Sequence, residues 1–248
     1  MTKVLQYHFN PPFKRIQGKL FWRNIQAPAW LKKKNQNYYF DGLCFRPANS
    51  KEKALGFLCL LTEMPDANPE ETEIISLLTK IIQKEYYRFS YPNPSDCFKW
   101  ALEQGNRFLN RQLKNNNIGW LNKLNLAAFA IRPNLSINLA KIGNVRCMLF
   151  TNGEIFDLSQ SLSQEAPSFK SFSDTIEGSV QNRDKILLLN QKLFEAFNEE
   201  EIFRWLLLAE KPKEVKNVFR QKKDILRQSF GVCLLVLAQN KKWLFWPF

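Results

Sequence analysis

Histidine is almost missing from this 248-residue chain; His8 is the only one. Its scarcity removes zinc centres built on several histidines, HExxH hydrolases and histidine-assisted triads, unless His8 itself serves. Alone in a Pro- and Lys-rich leader, His8 reads as a solvated side chain. Glycine is scarce too, at 9 against 12 prolines, which excludes collagen-like and low-complexity classes. No run approaches the roughly 20 apolar residues of a membrane-spanning helix. Residues 1–18 hold no apolar h-region, so no secretory signal is expected. Among Cys44, Cys59, Cys97, Cys147 and Cys233 there is no CxxC, which excludes a zinc ribbon or thioredoxin motif. These cysteines read as reduced, buried thiols packed as small hydrophobes, and the expected location is cytosolic.

What is present is core-forming material and positive charge. Hydrophobic residues make up 45% and aromatics 14%, enough for a large single domain. The formal net charge is +13, and it is local. Residues 1–40 carry eight Lys or Arg, including Lys32, Lys33 and Lys34, and no acid; residues 211–227 carry seven against Glu214 and Asp224. The rest of the chain is neutral overall. Such segments suit an anionic partner, whether nucleic acid, lipid or an acidic protein face. The plainer alternative is a general drift toward Lys and Asn.

Pro11, Pro12 and Pro28 predict an extended arm or irregular strand over 1–34. Strands are predicted over 38–46 and 54–61. Asn68-Pro69-Glu70-Glu71 is a helix start, with Asn68 as cap and Glu71 three residues on. Ile74, Leu77, Leu78, Ile81 and Ile82 then recur at helical spacing over 68–89. A second helix over 95–114 presents Phe98, Ala101, Leu102, Gly105, Phe108 and Leu109 on one face, so the two are expected to pair antiparallel. Strands follow over 124–131, 135–142, 146–150 and 154–158, the last two joined by the hairpin signal Asn152-Gly153. Further strands are predicted over 185–189 and 232–238, with helices over 199–210 and 212–227 between them. Helices segregated from strands mean α+β, and two packed sheets with helix pairs outside would bury every apolar face. The organisation read from the sequence is a basic arm (1–34), one domain (35–240) and an aromatic tail (241–248).

This order, over about residues 35–238, resembles the metal-dependent protein phosphatase family (PPM, type 2C). The resemblance rests first on Leu139-Ala140-Lys141-Ile142-Gly143-Asn144-Val145-Arg146 with the Asn152-Gly153 hairpin. There the family has Gly-Asp-Ser-Arg, and here Asn144-Val145 stand for Asp-Ser. Next comes the strand ending Asn190-Gln191-Lys192-Leu193, where the family has Ser-Asp-Gly-Leu and Gln191 replaces the metal-binding Asp. Asn35-Gln36-Asn37 resembles the early Asn-Gln-Asp, with Asn37 for Asp. Leu60-Leu61-Thr62-Glu63-Met64 resembles Val-Ala-Asp-Gly-Met, with Thr62 for the bridging Asp. Gln228-Ser229-Phe230-Gly231 precedes the last strand, where the family has Asp-Asp or Asp-Asn.

The resemblance implies a four-layer α-β-β-α sandwich of two antiparallel sheets flanked by helix pairs. It also implies two-metal phosphoester hydrolysis, which needs anionic oxygen ligands around Mn²⁺ or Mg²⁺. Asn37, Thr62, Asn144, Gln191 and Gly231 leave those positions about four negative charges short, and two dications ~3.5–4 Å apart would repel uncompensated. The expectation is a catalytically inactive domain that acts by binding, with no cofactor and no small-molecule substrate. Two alternatives stay open. One is a hydrolase with a site rebuilt on Glu63, Asp66, Asp41 or Asp184, taking Mn²⁺ or Mg²⁺; Glu63 enters such a site through a one-residue shift. The other is a nucleic-acid or membrane-surface binder using Lys32, Lys33, Lys34 and the 211–227 helix. Arg146 is either an anion contact or half of a structural ion pair. Trp243, Leu244, Phe245, Trp246, Pro247 and Phe248 either fold back on the domain or dock on a partner or membrane surface. A Thr2 nucleophile at a processed N-terminus ranks below all of these.

Overall fold

The computed structural model describes residues 2–9, 38–88, 93–162, 171–229 and 231–239. Among the described residues, ten strands form two five-stranded antiparallel sheets. One sheet holds β1 (Lys3–Phe9), β10 (Gly231–Leu237), β9 (Lys185–Asn190), β6 (Val145–Thr151) and β7 (Glu154–Asp157), in that spatial order. The other holds β2 (Tyr39–Phe45), β3 (Phe57–Met64), β4 (Asn125–Ile131), β5 (Ser136–Ile142) and β8 (Ile176–Ser179). The expected α+β sandwich is the observed one.

Between the sheets lie Cys59, Leu61, Phe129, Leu139, Leu188, Val232 and Leu234, all at most 1% exposed. A second apolar layer joins the β2–β8 sheet to α2 (Pro69–Arg88) and α3 (Pro94–Lys114), through Leu58, Leu60, Leu78, Ile82, Phe98 and Leu109. Asn68 and Glu71 cap α2 reciprocally, each backbone N–H meeting the other's side chain at 2.8 Å. Gly105 has its reason in this layer. A Cβ there would sit 3.3 Å from both Ile82 and Leu78, so its absence lets α3 approach α2 closely.

The third layer packs α4 (Gln191–Glu199), α5 (Ile202–Leu208), α6 (Pro212–Gln221) and α7 (Lys223–Gln228) on the other sheet, through Phe197, Phe203, Leu206, Val215 and Phe219. The helix expected over 199–210 starts later, because Glu201 takes a left-handed φ of 53° and breaks it from α4. The single basic helix expected over 212–227 is two, divided at Lys222. A one-turn helix, α1 (Ser50–Lys53), lies in the turn between β2 and β3, capped by Asn49. The Asn152-Gly153 hairpin forms as expected, with φ of 51° and 81°.

The arm read from the sequence begins inside the sandwich: Lys3–Phe9 pairs along the whole of β10, Lys3 opposite Leu237 and Phe9 opposite Gly231. Its partner lies at the far end of the chain, so no local pattern announces the strand. Residues 10–34, with Lys32, Lys33 and Lys34, lie outside the described residues, as do Asn37 and the aromatic tail.

Candidate functional site

Strand register brings one end of every central strand together. Glu63, near the end of β3, stands opposite Asn125, which opens β4. Asn190, closing β9, stands opposite Val145, which opens β6. Gly231 opens β10 at the same end, and the Gly143-Asn144 turn joins β5 to β6 there.

Side chains alternate across a strand, and this decides which residue of Thr62-Glu63 faces inward. Leu58, Leu60 and Met64 face the helices, and Thr62 shares their parity; its hydroxyl donates to the Asp41 carbonyl at 3.3 Å. Cys59 and Leu61 face the opposite sheet, and so does Glu63. The structure therefore puts the carboxylate of Glu63, not the hydroxyl of Thr62, between the sheets.

Glu63 is 3% exposed and accepts three hydrogen bonds. Asn190 Nδ2 donates at 2.7 Å, Asn125 Nδ2 donates at 3.2 Å, and the Tyr38 hydroxyl donates to Oε1. The Asn190 bond crosses the sandwich and fastens the two sheets. Burial first, and the Glu63 charge second, push the Tyr38 hydroxyl well above the ordinary tyrosine range, so it stays a donor. Asn125 turns its Oδ1 to the Asn144 backbone N–H at 2.8 Å. Gly231 is required here by contact: a Cβ would land on Asn190 Oδ1 and Leu193.

A second group lies beside the first. Arg146 donates through Nε to Gln191 Oε1 at 3.1 Å and through Nη1 to Asp157 at 3.0 Å, with its guanidinium 4.9 Å from the Phe194 ring centre. Asp157 is fixed in turn by the Ser159 N–H at 2.9 Å and by the Ser159 hydroxyl. Arg146 thus forms an ion pair with Asp157. Lys141, on β5, is 6% exposed; burial, with Arg146 as a second cause, holds it below the ordinary lysine range.

Of the residues singled out from sequence, Glu63, Asn144, Gln191, Gly231 and Arg146 meet at this end. Tyr38, Asn125, Asn190, Asp157 and Lys141 complete it and escaped that reading. The cross-strand placement of Asn125 opposite Glu63 is the signal that would have found the first amide. The other carboxylates stand elsewhere. Asp41 lines a groove beside α2, where burial raises it to about 6. Asp184 accepts the Gln181 N–H at 2.7 Å before the opposite end of β9, about 20 Å of strand from Asn190. Asp66 follows β3 in a left-handed turn, φ 50°. Among the described residues no group of three or more His, Cys, Asp or Glu could hold a metal ion.

This layering and topology are those of the type 2C (PPM) phosphatase fold. No protein-family model and no curated protein sequence matches the chain. Solved structures do. RsbX in complex with magnesium superposes with a TM-score of 0.56 at 14% identity, covering 95% of this chain and 94% of that one. The catalytic domain of the serine/threonine phosphatase PstP, in complex with two manganese ions, gives 0.56 at 14%, covering 83% and 100%. PppA of Pseudomonas aeruginosa, a regulatory component of the type VI secretion system, gives 0.55 at 13%, covering 81% and 97%. Identities this low establish the shared fold. Among the described residues no helix is long and apolar enough to cross a membrane.

Proposed function

We propose that this chain is a phosphatase-fold binding protein, a pseudophosphatase, whose former catalytic end is held shut by neutral side chains. The observation that carries the reading is the state of Glu63. Its carboxylate is met by a hydroxyl and two amide N–H groups, donors that occupy the lone pairs a cation would need. One carboxylate with amides does not fit a pair of hard dications, which require several anionic oxygens to share the site. Asn144 is exposed, Gln191 is engaged with Arg146, and Gly231 has no side chain to offer. The Arg146 charge is already matched by Asp157, whereas Lys141 brings positive charge to the same end, which also opposes cation binding.

Binding would fall to the surface. Lys211 before α6, Lys213, Lys216 and Arg220 on α6 and Lys223 on α7 are exposed, beside exposed Glu214 and Asp224, while Val215 and Phe219 are buried, so the helix face turned outward is basic on balance. Exposed Trp205 and Leu208 lie on the neighbouring α5, at 52% and 66% exposure. A cationic face with apolar anchors suits an acidic protein or another anionic surface. The competing reading, a hydrolase rebuilt on Glu63, would require Glu63 to exchange its three donors for metal. Turnover of p-nitrophenyl phosphate and phosphopeptides, with Mn²⁺ or Mg²⁺ and with chelator, separates the two. The binding reading expects rates at the uncatalysed level throughout. A rate that rises with Mn²⁺ and disappears with chelator would overturn it.

A further inference from the structure

We propose that Cys44 and Cys59 form a thiol–disulfide modification site, reached by disulfide-class oxidants through the groove at the sandwich edge. The two residues stand directly opposite each other on the antiparallel strands β2 and β3. Directly opposed residues have Cα atoms about 4.5–5.5 Å apart, within the ~4.4–6.8 Å that a disulfide spans, so no backbone shift is needed. Their sulfurs are already 3.4 Å apart, with the Cys59 S–H donating to the Cys44 sulfur. Side-chain rotation is all that remains to bring them to bonding distance.

The pair is asymmetric. β2 is the outer strand of its sheet, and Cys44 is partly exposed, lining a groove of about 980 Å³ between β2, β1 and α2. Cys59 is 0% exposed, in the layer between the sheets. The hydrogen bond from Cys59 holds the Cys44 thiol below the ordinary cysteine range, and Arg46 adds to that. The same bond and burial push Cys59 well above it. Cys44 is therefore the attacking thiol and Cys59 the resolving one. Cys147 and Cys233 are buried, with burial pushing both thiols up, and are expected to stay inert.

The chemistry balances in two exchanges. The Cys44 thiolate attacks one sulfur of R–S–S–R, forming Cys44–S–S–R and releasing RS⁻, which takes up a proton. Cys59 then attacks the Cys44 sulfur, its proton passing to the departing thiolate, forming Cys44–S–S–Cys59 and releasing the second R–S as RSH. Two protein thiols are oxidised and one external disulfide is reduced to two thiols. The product ties the edge strand covalently to its neighbour, where strand fraying would otherwise begin.

The test is to incubate the folded full chain with oxidised glutathione, alkylate free thiols and map peptides without reduction. The expected result is a Cys44–Cys59 crosslinked peptide, with the reacted protein about 2 Da lighter for the two hydrogens lost. In Cys59→Ala, Cys44 should accumulate as the glutathione mixed disulfide. In Cys44→Ser, at the partly exposed position, neither product should form, and this variant keeps the test decisive if Cys59→Ala does not fold. Three results would overturn the proposal. One is a wild-type reaction that stops at the Cys44 adduct. Another is a crosslink through Cys97, Cys147 or Cys233. The last is no reaction at Cys44 under conditions where the unfolded chain reacts.

Discussion

Replacing Glu63 with alanine should unfasten the two sheets at the end where their central strands meet. The change removes the acceptor of three donors: the Tyr38 hydroxyl, Asn125 Nδ2 and Asn190 Nδ2. A buried donor left without a partner costs about 1–3 kcal/mol. Asn190 is 0% exposed, so its Nδ2 should cost near ~2 kcal/mol. Tyr38 and Asn125 are only half-buried and water can replace part of their loss, so together they should add ~1 kcal/mol. The expected total is about 3 kcal/mol, reduced by whatever the buried charge costs the native state. Glu63→Gln keeps the shape, but a single amide oxygen can serve two of the three donors, so it should cost about 1–2 kcal/mol. Urea unfolding, followed by circular dichroism at fixed pH, reads both variants through the midpoint, with the slope unchanged. A carboxylate retained as a metal ligand would behave in the opposite way, and its removal would stabilise the metal-free protein. Glu63→Ala within about 0.5 kcal/mol of wild type, or above it, would refute the fastening role.

Three further outcomes are expected. Asp41 is raised by burial to about 6 in the folded chain, so between about pH 4 and 6 the native state holds more protons than the unfolded one, and stability falls as pH rises. Asp41→Asn should therefore match wild type near pH 4 and exceed it by about 1–2 kcal/mol at pH 7; parallel denaturation curves would show no such divergence if burial of the charge is harmless. Lys185 donates to the Leu206 and Leu207 carbonyls, each at 2.8 Å, at the C-terminal end of α5, and Lys185→Met should cost about 2 kcal/mol by thermal unfolding. Charge reversal at Lys213, Lys216 and Arg220, all exposed, should leave stability within about 0.5 kcal/mol and abolish salt-sensitive retention on a polyanionic matrix.

Local signals carried much of the architecture. Asn68 and Glu71 cap α2 as their spacing requires, Asn152-Gly153 turns its hairpin, and the stripes on α2 and α3 meet each other and the sheet. Where pairing is distant, the residues were silent. β1 finds its partner at the other end of the chain, and Pro11 and Pro12 just beyond it dominate the local pattern. The break at Glu201 depends on a left-handed backbone that no glycine announced. At the site, motif spacing pointed to Thr62, whereas the pleat put Glu63 inside. Leu58–Leu61 is apolar on both faces, so the alternation that fixes parity cannot be seen there. Asn125 and Asn190 are short polar residues at strand ends, ordinary as turn formers, and only the sandwich brings both onto one carboxylate.

Whether the end of the sandwich around Glu63 holds metal is read most directly by titration calorimetry of the purified full chain with Mn²⁺. With one carboxylate already clasped by Tyr38, Asn125 and Asn190, no saturable heat should appear beyond that of dilution, and the Glu63→Gln titration should be indistinguishable from wild type. Saturable binding of two Mn²⁺ ions per chain, lost in Glu63→Gln, would contradict a Glu63 carboxylate closed off by neutral donors.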